Sequence, residues 1–195
     1  GDHRDLHLSI RRQRQMCIRD RHMLFDSVRG ATKYLVSDAT DAQATDATQL
    51  TAFDSDGFSL GSGTVVNGTG ATFVGWNWKA GGAAVSNTDG SITSSVSVNT
   101  TAGFSVVKYS GVDTPATNTV GHGLSVAPEL YIIKSIDAVS PQGWVVNTTV
   151  IDDTVDYMFL NTTDAAANQG SPWSTAPTAS VFTLGANDGN TCNCL

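Results

Sequence analysis

The residues able to do chemistry in this 195-residue chain are few and scattered. Outside the first 21 positions there are two histidines, His22 and His122, and the second stands between Gly121 and Gly123 in a predicted turn. A Ser-His-Asp arrangement would have to recruit His122; packing within its turn is the expected role instead. Glycoside hydrolysis needs two carboxylates held across a bond, and the acids beyond residue 21 are a single Glu, Glu129, and 14 Asp set mostly beside Gly, Ser, Thr or Ala, as turn-forming Asp are. No catalytic residue is expected. Asp54-Ser55-Asp56-Gly57 has the alternating carboxylates that open a calcium loop, yet its glycine comes too early and the twelfth position is Val65. Asp152-Asp153 with Asp156 is a second acidic group, and Cys192-Asn193-Cys194 a short thiol pair without partner ligands. No metal site and no cofactor are expected from any of them. Aromatic stacking on a sugar is the sharper possibility, carried by Trp76, Trp78, Trp144 and Trp173. Side chains two apart on a strand share a face, so Trp76 and Trp78 could hold a pyranose together. Burying an aromatic contributes a few kcal/mol, which makes core the expected place for Trp76, Trp78 and Trp144. Trp173 follows Pro172 in a Ser/Thr/Pro-rich stretch and is the candidate ligand-binding residue, since loops between sandwich strands carry recognition.

The elements that must position these groups begin after a distinct leader. Residues 1–7, Gly-Asp-His-Arg-Asp-Leu-His, and residues 11–21, Arg-Arg-Gln-Arg-Gln-Met-Cys-Ile-Arg-Asp-Arg, resemble the two halves of a translated sequencing-library adapter read in one frame, with residues 8–10 where a variable index would lie. Such segments are set aside before a fold is read. Six of the 11 basic residues and three of the 18 acidic ones fall there, leaving five bases against 15 acids over residues 22–195. A phosphate backbone repels that balance, so nucleic acid is not an expected partner. No apolar run approaches the length a bilayer requires, so membrane insertion is not expected either.

Residues 22–195 are rich in Thr, Ser, Ala, Gly, Val and Asn and hold a single Glu and only four Lys, a composition that as a whole is poor stock for helices and good stock for strands and turns. Short β-branched or aromatic runs recur at 33–36, 58–60, 64–66, 72–78, 91–98, 104–109, 130–136, 144–150, 157–160 and 181–184. Several alternate apolar with polar, as strands half-buried in a sheet do. Asp56-Gly57, Asn67-Gly68, Asp89-Gly90 and Asp188-Gly189 punctuate them as turns. The pattern predicts an all-β antiparallel sandwich. The low-complexity run at 38–48 reads as a surface loop, because Asp and Thr compete locally with helix hydrogen bonds. An internal echo sets Tyr34-Leu35 and Phe58-Ser59-Leu60-Gly61 against Phe159-Leu160 and Phe182-Thr183-Leu184-Gly185, some 125 residues on. It predicts a partial tandem repeat: residues 22–80 as the C-terminal half of a first β-sandwich unit, 81–102 as linker and first strand, and 103–195 as a second unit, truncated at its C-terminus. The sequons at Asn67, Asn99, Asn147 and Asn161 follow from an Asn/Thr-rich composition.

Phe73-Val74-Gly75-Trp76-Asn77-Trp78-Lys79-Ala80-Gly81-Gly82, Ala102-Gly103-Phe104-Ser105-Val106-Val107-Lys108-Tyr109-Ser110-Gly111, and Val120-Gly121-His122-Gly123-Leu124 with Ala127-Pro128-Glu129-Leu130 resemble phrases of a domain of unknown function in tail-fibre-like proteins of marine phages. So does Trp173 with Ala176-Pro177-Thr178 and Val181-Phe182-Thr183-Leu184-Gly185. That domain is related in pattern to concanavalin A/laminin G-like jelly rolls. The resemblance implies a non-enzymatic structural module of a phage tail, extracellular in the virion, that contacts other tail proteins and host-surface carbohydrate and forms a homo-oligomer, a trimer, in the full-length protein. A carbohydrate-binding module of a secreted or cell-surface bacterial protein is the alternative, and a glycan depolymerase domain a third reading. The motifs speak for the family and not for an activity, since one sandwich hosts many functions.

Overall fold

Val, Thr, Ser and aromatic residues fit a pleated, half-buried surface and fit a helix poorly. In a computed structural model of the chain the regular elements they form are short strands, apart from one helical turn. The structure describes residues 22–112, 117–137, 143–151, 155–168 and 175–184, with backbone alone at 168 and 193–194. The strands are β1 (Met23–Phe25), β2 (Lys33–Val36), β3 (Ala44–Thr45), β4 (Leu50–Phe53), β5 (Phe58–Leu60), β6 (Val85–Asn87), β7 (Ser94–Asn99), β8 (Phe104–Ser110), β9 (Asn118–Gly121), β10 (Leu130–Ile133), β11 (Val145–Thr148), β12 (Asp156–Phe159), β13 (Ala167–Asn168), β14 (Val181–Leu184) and β15 (Asn193–Cys194). They pair antiparallel in the orders β1-β2-β3, β4-β5, β15-β8-β7-β6, β14-β9 and β10-β11-β12-β13. The protein is an all-β antiparallel sandwich. One expected strand is a helical turn: residues 64–66 fall within Thr64–Asn67, closed by the Asn67 amide on the Gly63 carbonyl at 3.0 Å and by the Asn67 side-chain amide on the Gly61 carbonyl at 2.8 Å. Three residues, two of them apolar, are too few to fix a period.

The core forms where sheets meet. Ile92, Tyr109, Val120, Ile133, Phe182 and Leu184 are buried together, drawn from the β7 approach, β8, β9, β10 and β14. The Phe182 ring stacks on Tyr131 at 5.3 Å and meets the edge of Tyr109 at 6.2 Å. Each such side chain contributes roughly 1.5–3 kcal/mol by leaving water. Along residues 92–96 the alternation in the sequence becomes alternation in space, with Ile92, Ser94 and Val96 buried. Residues 81–102 contribute β6 and β7, and β7 lies in the interior of its sheet.

Two three-stranded meanders pair in a similar hydrogen-bond register. In the meander β1-β2-β3, Tyr34 sits opposite both Phe25 and Ala44, and Lys33 opposite Thr45. In β11-β12-β13, Tyr157 sits opposite Asn147 and Ala167, and Asp156 opposite Asn168. The Ser37 amide reaches the His22 carbonyl at 3.1 Å, and the Leu160 amide the Trp144 carbonyl at 2.9 Å. Further along, Asp54 N–H to Gly57 C=O and Thr178 N–H to Val181 C=O close matching turns at 2.9 Å, each just before a Phe-Ser/Thr-Leu strand. Register therefore sets Tyr34 against Tyr157, two residues from the Phe159 match that the sequence favours.

The two meanders touch. The buried Trp144 indole N–H donates to the carbonyls of Val36 at 2.9 Å and Ala39 at 3.1 Å. Lys134, also buried, donates its ammonium to Thr40 O at 3.1 Å and Ser135 O at 2.8 Å, and the Gln43 amide bonds Ile136 O at 3.0 Å. Across the first meander, Arg29 pairs with Asp26 and donates to Leu24 O at 3.1 Å.

Candidate functional site

Residues 72–78, Thr-Phe-Val-Gly-Trp-Asn-Trp, carry the alternation of a strand, but among the described residues no strand pairs with them. They are bracketed by Gly68 and Gly70 on one side and Gly81-Gly82 on the other. Gly70 adopts φ +77°, which a side chain disfavours, and turns the chain outward. At the far end a Cβ on Gly81 would fall on the Val98 carbonyl of β7, so only glycine lets the chain return flush against that strand.

This arrangement corrects the core expectation for two of three tryptophans. Trp144 is 2% exposed, whereas Trp76 is 79% and Trp78 67% exposed. An aromatic becomes core only where a second layer covers it, and the segment carries Trp76 and Trp78 away from either meander. Val74 is exposed beside them, with Phe53, Phe58 and Phe73 partly so. Contiguous exposed apolar surface of this kind marks an interaction site. The Trp78 ring lies over Phe104 at 6.3 Å with 21° between planes. Asn99 ties the Lys79 carbonyl to β7 at 3.2 Å, and the Asn77 amide caps the Gly75 carbonyl at 3.3 Å. Position 75 faces the Phe58 ring of the β4-β5 hairpin. Lys79 is the one cation of the segment, while Asp54 and Asp56 lie in the turn between Phe53 and Phe58.

The remaining candidates resolve into structural roles or fall outside the described residues. Trp173, the ligand-binding residue expected from sequence, lies outside them, as do Pro172, Asp152, Asp153 and Cys192. His122 is 2% exposed, with Nε2 3.2 Å from the Thr178 carbonyl and Nδ1 accepting the Leu124 amide at 3.1 Å. That pattern fixes the neutral ring with its proton on Nε2, and burial pulls its pKa below the usual histidine range. Gly123, at φ +72°, makes the turn that holds it. Asp54 accepts the Ser59 hydroxyl at 2.7 Å across its hairpin, which is turn chemistry. Asp156 is buried in β12. Among the described residues no group of three or more His, Cys, Asp or Glu gathers as metal ligands would, and no helix is long and apolar enough to cross a membrane.

The exposure of Trp76 and Trp78 escapes a reading by strand parity, because parity says which residues share a face and not whether a sheet lies over it. The flanking glycines were the available signal.

No curated protein and no solved structure matches the chain. One family model does, a domain of unknown function (DUF7483), over residues 10–194, so the match starts inside the basic leader. Since it spans nearly the whole chain, the protein belongs to the DUF7483 family.

Proposed function

We propose that the chain is a non-enzymatic structural module of a phage tail or tail fibre, displayed outside the cell, which meets host-surface glycan through exposed aromatic side chains. The observation that carries the reading is the Trp76–Trp78 segment, which lies against β7 and β8 with both indoles largely in solvent. Large exposed indoles cost solubility, and a ligand that stacks on them is the ordinary reason to keep them. An antiparallel body with two meanders of similar register suits a spacer that presents such a segment on its surface. His122 has both ring nitrogens committed, Nδ1 to the Leu124 amide of its own turn and Nε2 to the Thr178 carbonyl ahead of β14, which suits structure better than proton transfer. The same ribbon suits a carbohydrate-binding module of a secreted or cell-surface bacterial protein. Immunogold labelling with antibody to the purified chain separates the two. Gold on the tails of virions from the source community supports the tail assignment, and gold confined to bacterial surfaces or secreted material overturns it.

A further inference from the structure

We infer that Trp76 and Trp78 form a stacking platform for a neutral, extended polysaccharide. This rests on the glycan reading above and narrows it to a ligand class and a place.

Three observations lead there. The first is spacing. Trp76 and Trp78 stand two positions apart in one unpaired segment and both are largely exposed, so they offer two stacking surfaces close together along the chain, which suits a ligand of repeated rings better than one compact molecule. The second is preorganisation. Trp78 already rests on Phe104, leaving it 67% exposed, and the main chain beneath is tied down by Asn99 on Lys79 O and by the close seat of Gly81 on β7. An aromatic held in place before binding loses little freedom when a ligand arrives. The third is charge. The segment offers one cation, Lys79, and the neighbouring hairpin turn carries Asp54 and Asp56, on a chain of net charge −7. Anionic ligands are bound by clustered Arg and Lys, and the acidic balance here repels a polyanion. A neutral glycan has no such penalty, and its apolar ring faces match the indoles.

Affinity electrophoresis of the full chain in native gels tests this, with a neutral polysaccharide (galactomannan or hydroxyethyl cellulose) or an anionic one (alginate) cast into the gel. The comparison set is Trp76→Ala, Trp78→Ala and Trp76→Phe, each checked for an unchanged circular dichroism spectrum and melting temperature. The expected result is retardation by a neutral polymer that salt does not abolish. Trp76→Ala should weaken it about tenfold or more, the size of a typical binding hot spot, with Trp76→Phe retaining part. Retardation by alginate alone overturns the neutral class and leaves glycan binding standing. Neutral-polymer retardation indifferent to both alanine variants overturns the platform and moves the glycan site elsewhere. No retardation by either class sinks the glycan reading together with this one. Self-association of the wild type that Trp76→Ala abolishes, seen by sedimentation without any glycan, assigns the ribbon to a protein contact and overturns the proposal.

Discussion

Replacing Trp144 by Phe keeps an aromatic ring in a site that is 2% exposed and deletes the one group that ties the two meanders through a side chain of β11's approach. The indole N–H donates to Val36 O at 2.9 Å and to Ala39 O at 3.1 Å, a shared bond whose net worth is about 1 kcal/mol. The Val36 carbonyl keeps the Ala39 amide at 3.4 Å, and the part-buried Ala39 carbonyl loses the indole, which adds roughly 1 kcal/mol. The smaller ring leaves a modest void, so Trp144→Phe should cost about 2–3 kcal/mol. Trp144→Ala, which empties the site, should cost about 4–5 kcal/mol. For a chain of this size each kcal/mol moves the melting temperature by about 2–4 °C, so Trp144→Phe should melt roughly 4–12 °C lower. Urea denaturation followed by far-ultraviolet circular dichroism measures the difference, and Trp76→Ala is the matched control because its side chain is 79% exposed; that variant should stay within about 0.5 kcal/mol of wild type. If Trp144→Phe unfolded at the wild-type urea midpoint while Trp76→Ala did not, the assignment of joint and surface would be refuted.

Lowering pH should destabilise the chain through His122. Its native pKa is depressed by burial, so the unfolded state takes up a proton that the native state refuses. Stability is then full above the unfolded histidine value near about 6.5 and falls as pH drops through it, levelling off below the native pKa. The urea midpoint of wild type should fall more between pH 7 and pH 5.5 than that of His122→Gln; equal slopes would remove His122 from the account. At the alkaline end, desolvation pushes the Tyr131 phenol up to about 12 and Tyr109 higher still, and both hydroxyls are buried with no hydrogen-bond partner among the described residues. Phenols with raised native values stabilise the fold below the unfolded value of about 10 and lose that contribution as pH climbs past it. Tyrosinate absorbance should therefore appear for these two only with unfolding. Tyr109→Phe should be neutral or stabilising by about 1 kcal/mol, since it removes an unsatisfied buried hydroxyl, and a loss of more than that in a melting curve would reveal a partner for it. Removing residues 1–21, the segment that resembles a translated adapter, should leave the melting temperature unchanged; a fall would show that the leader takes part in the fold.

Residue type and spacing announce the fold class because alternation such as that from Ile92 to Val98 has one economical solution, a strand with a wet side and a dry side. The turn role of His122 was equally open to inspection, since two flanking glycines favour tight geometry. What resists such reading is long-range. Nothing local distinguishes Trp144, which finds a covering loop more than a hundred residues earlier in the chain, from Trp76, which finds none. Short strands such as Ala44–Thr45 and Ala167–Asn168 are defined by the partner they pair with and barely by their own composition. The same holds for the echo. Similar letters point to Phe159 as the mate of Tyr34, and only the ladder, which counts residues across the hairpin, selects Tyr157.

The seam between the meanders has a property that side-chain lists hide. The hydrogen bonds that join Trp144, Lys134 and Ile136 to the end of β2 and the loop after it use main-chain groups: the oxygens of Val36, Ala39 and Thr40 accept, and the Gln43 N–H donates. Peptide groups are the same whatever residue carries them, so exchanging the Ala39 or Thr40 side chain removes none of these bonds, whereas Asp41 also acts through its charge on the Lys134 ammonium. The neighbouring meander reads the path of the chain at the first two positions and a carboxylate at the third.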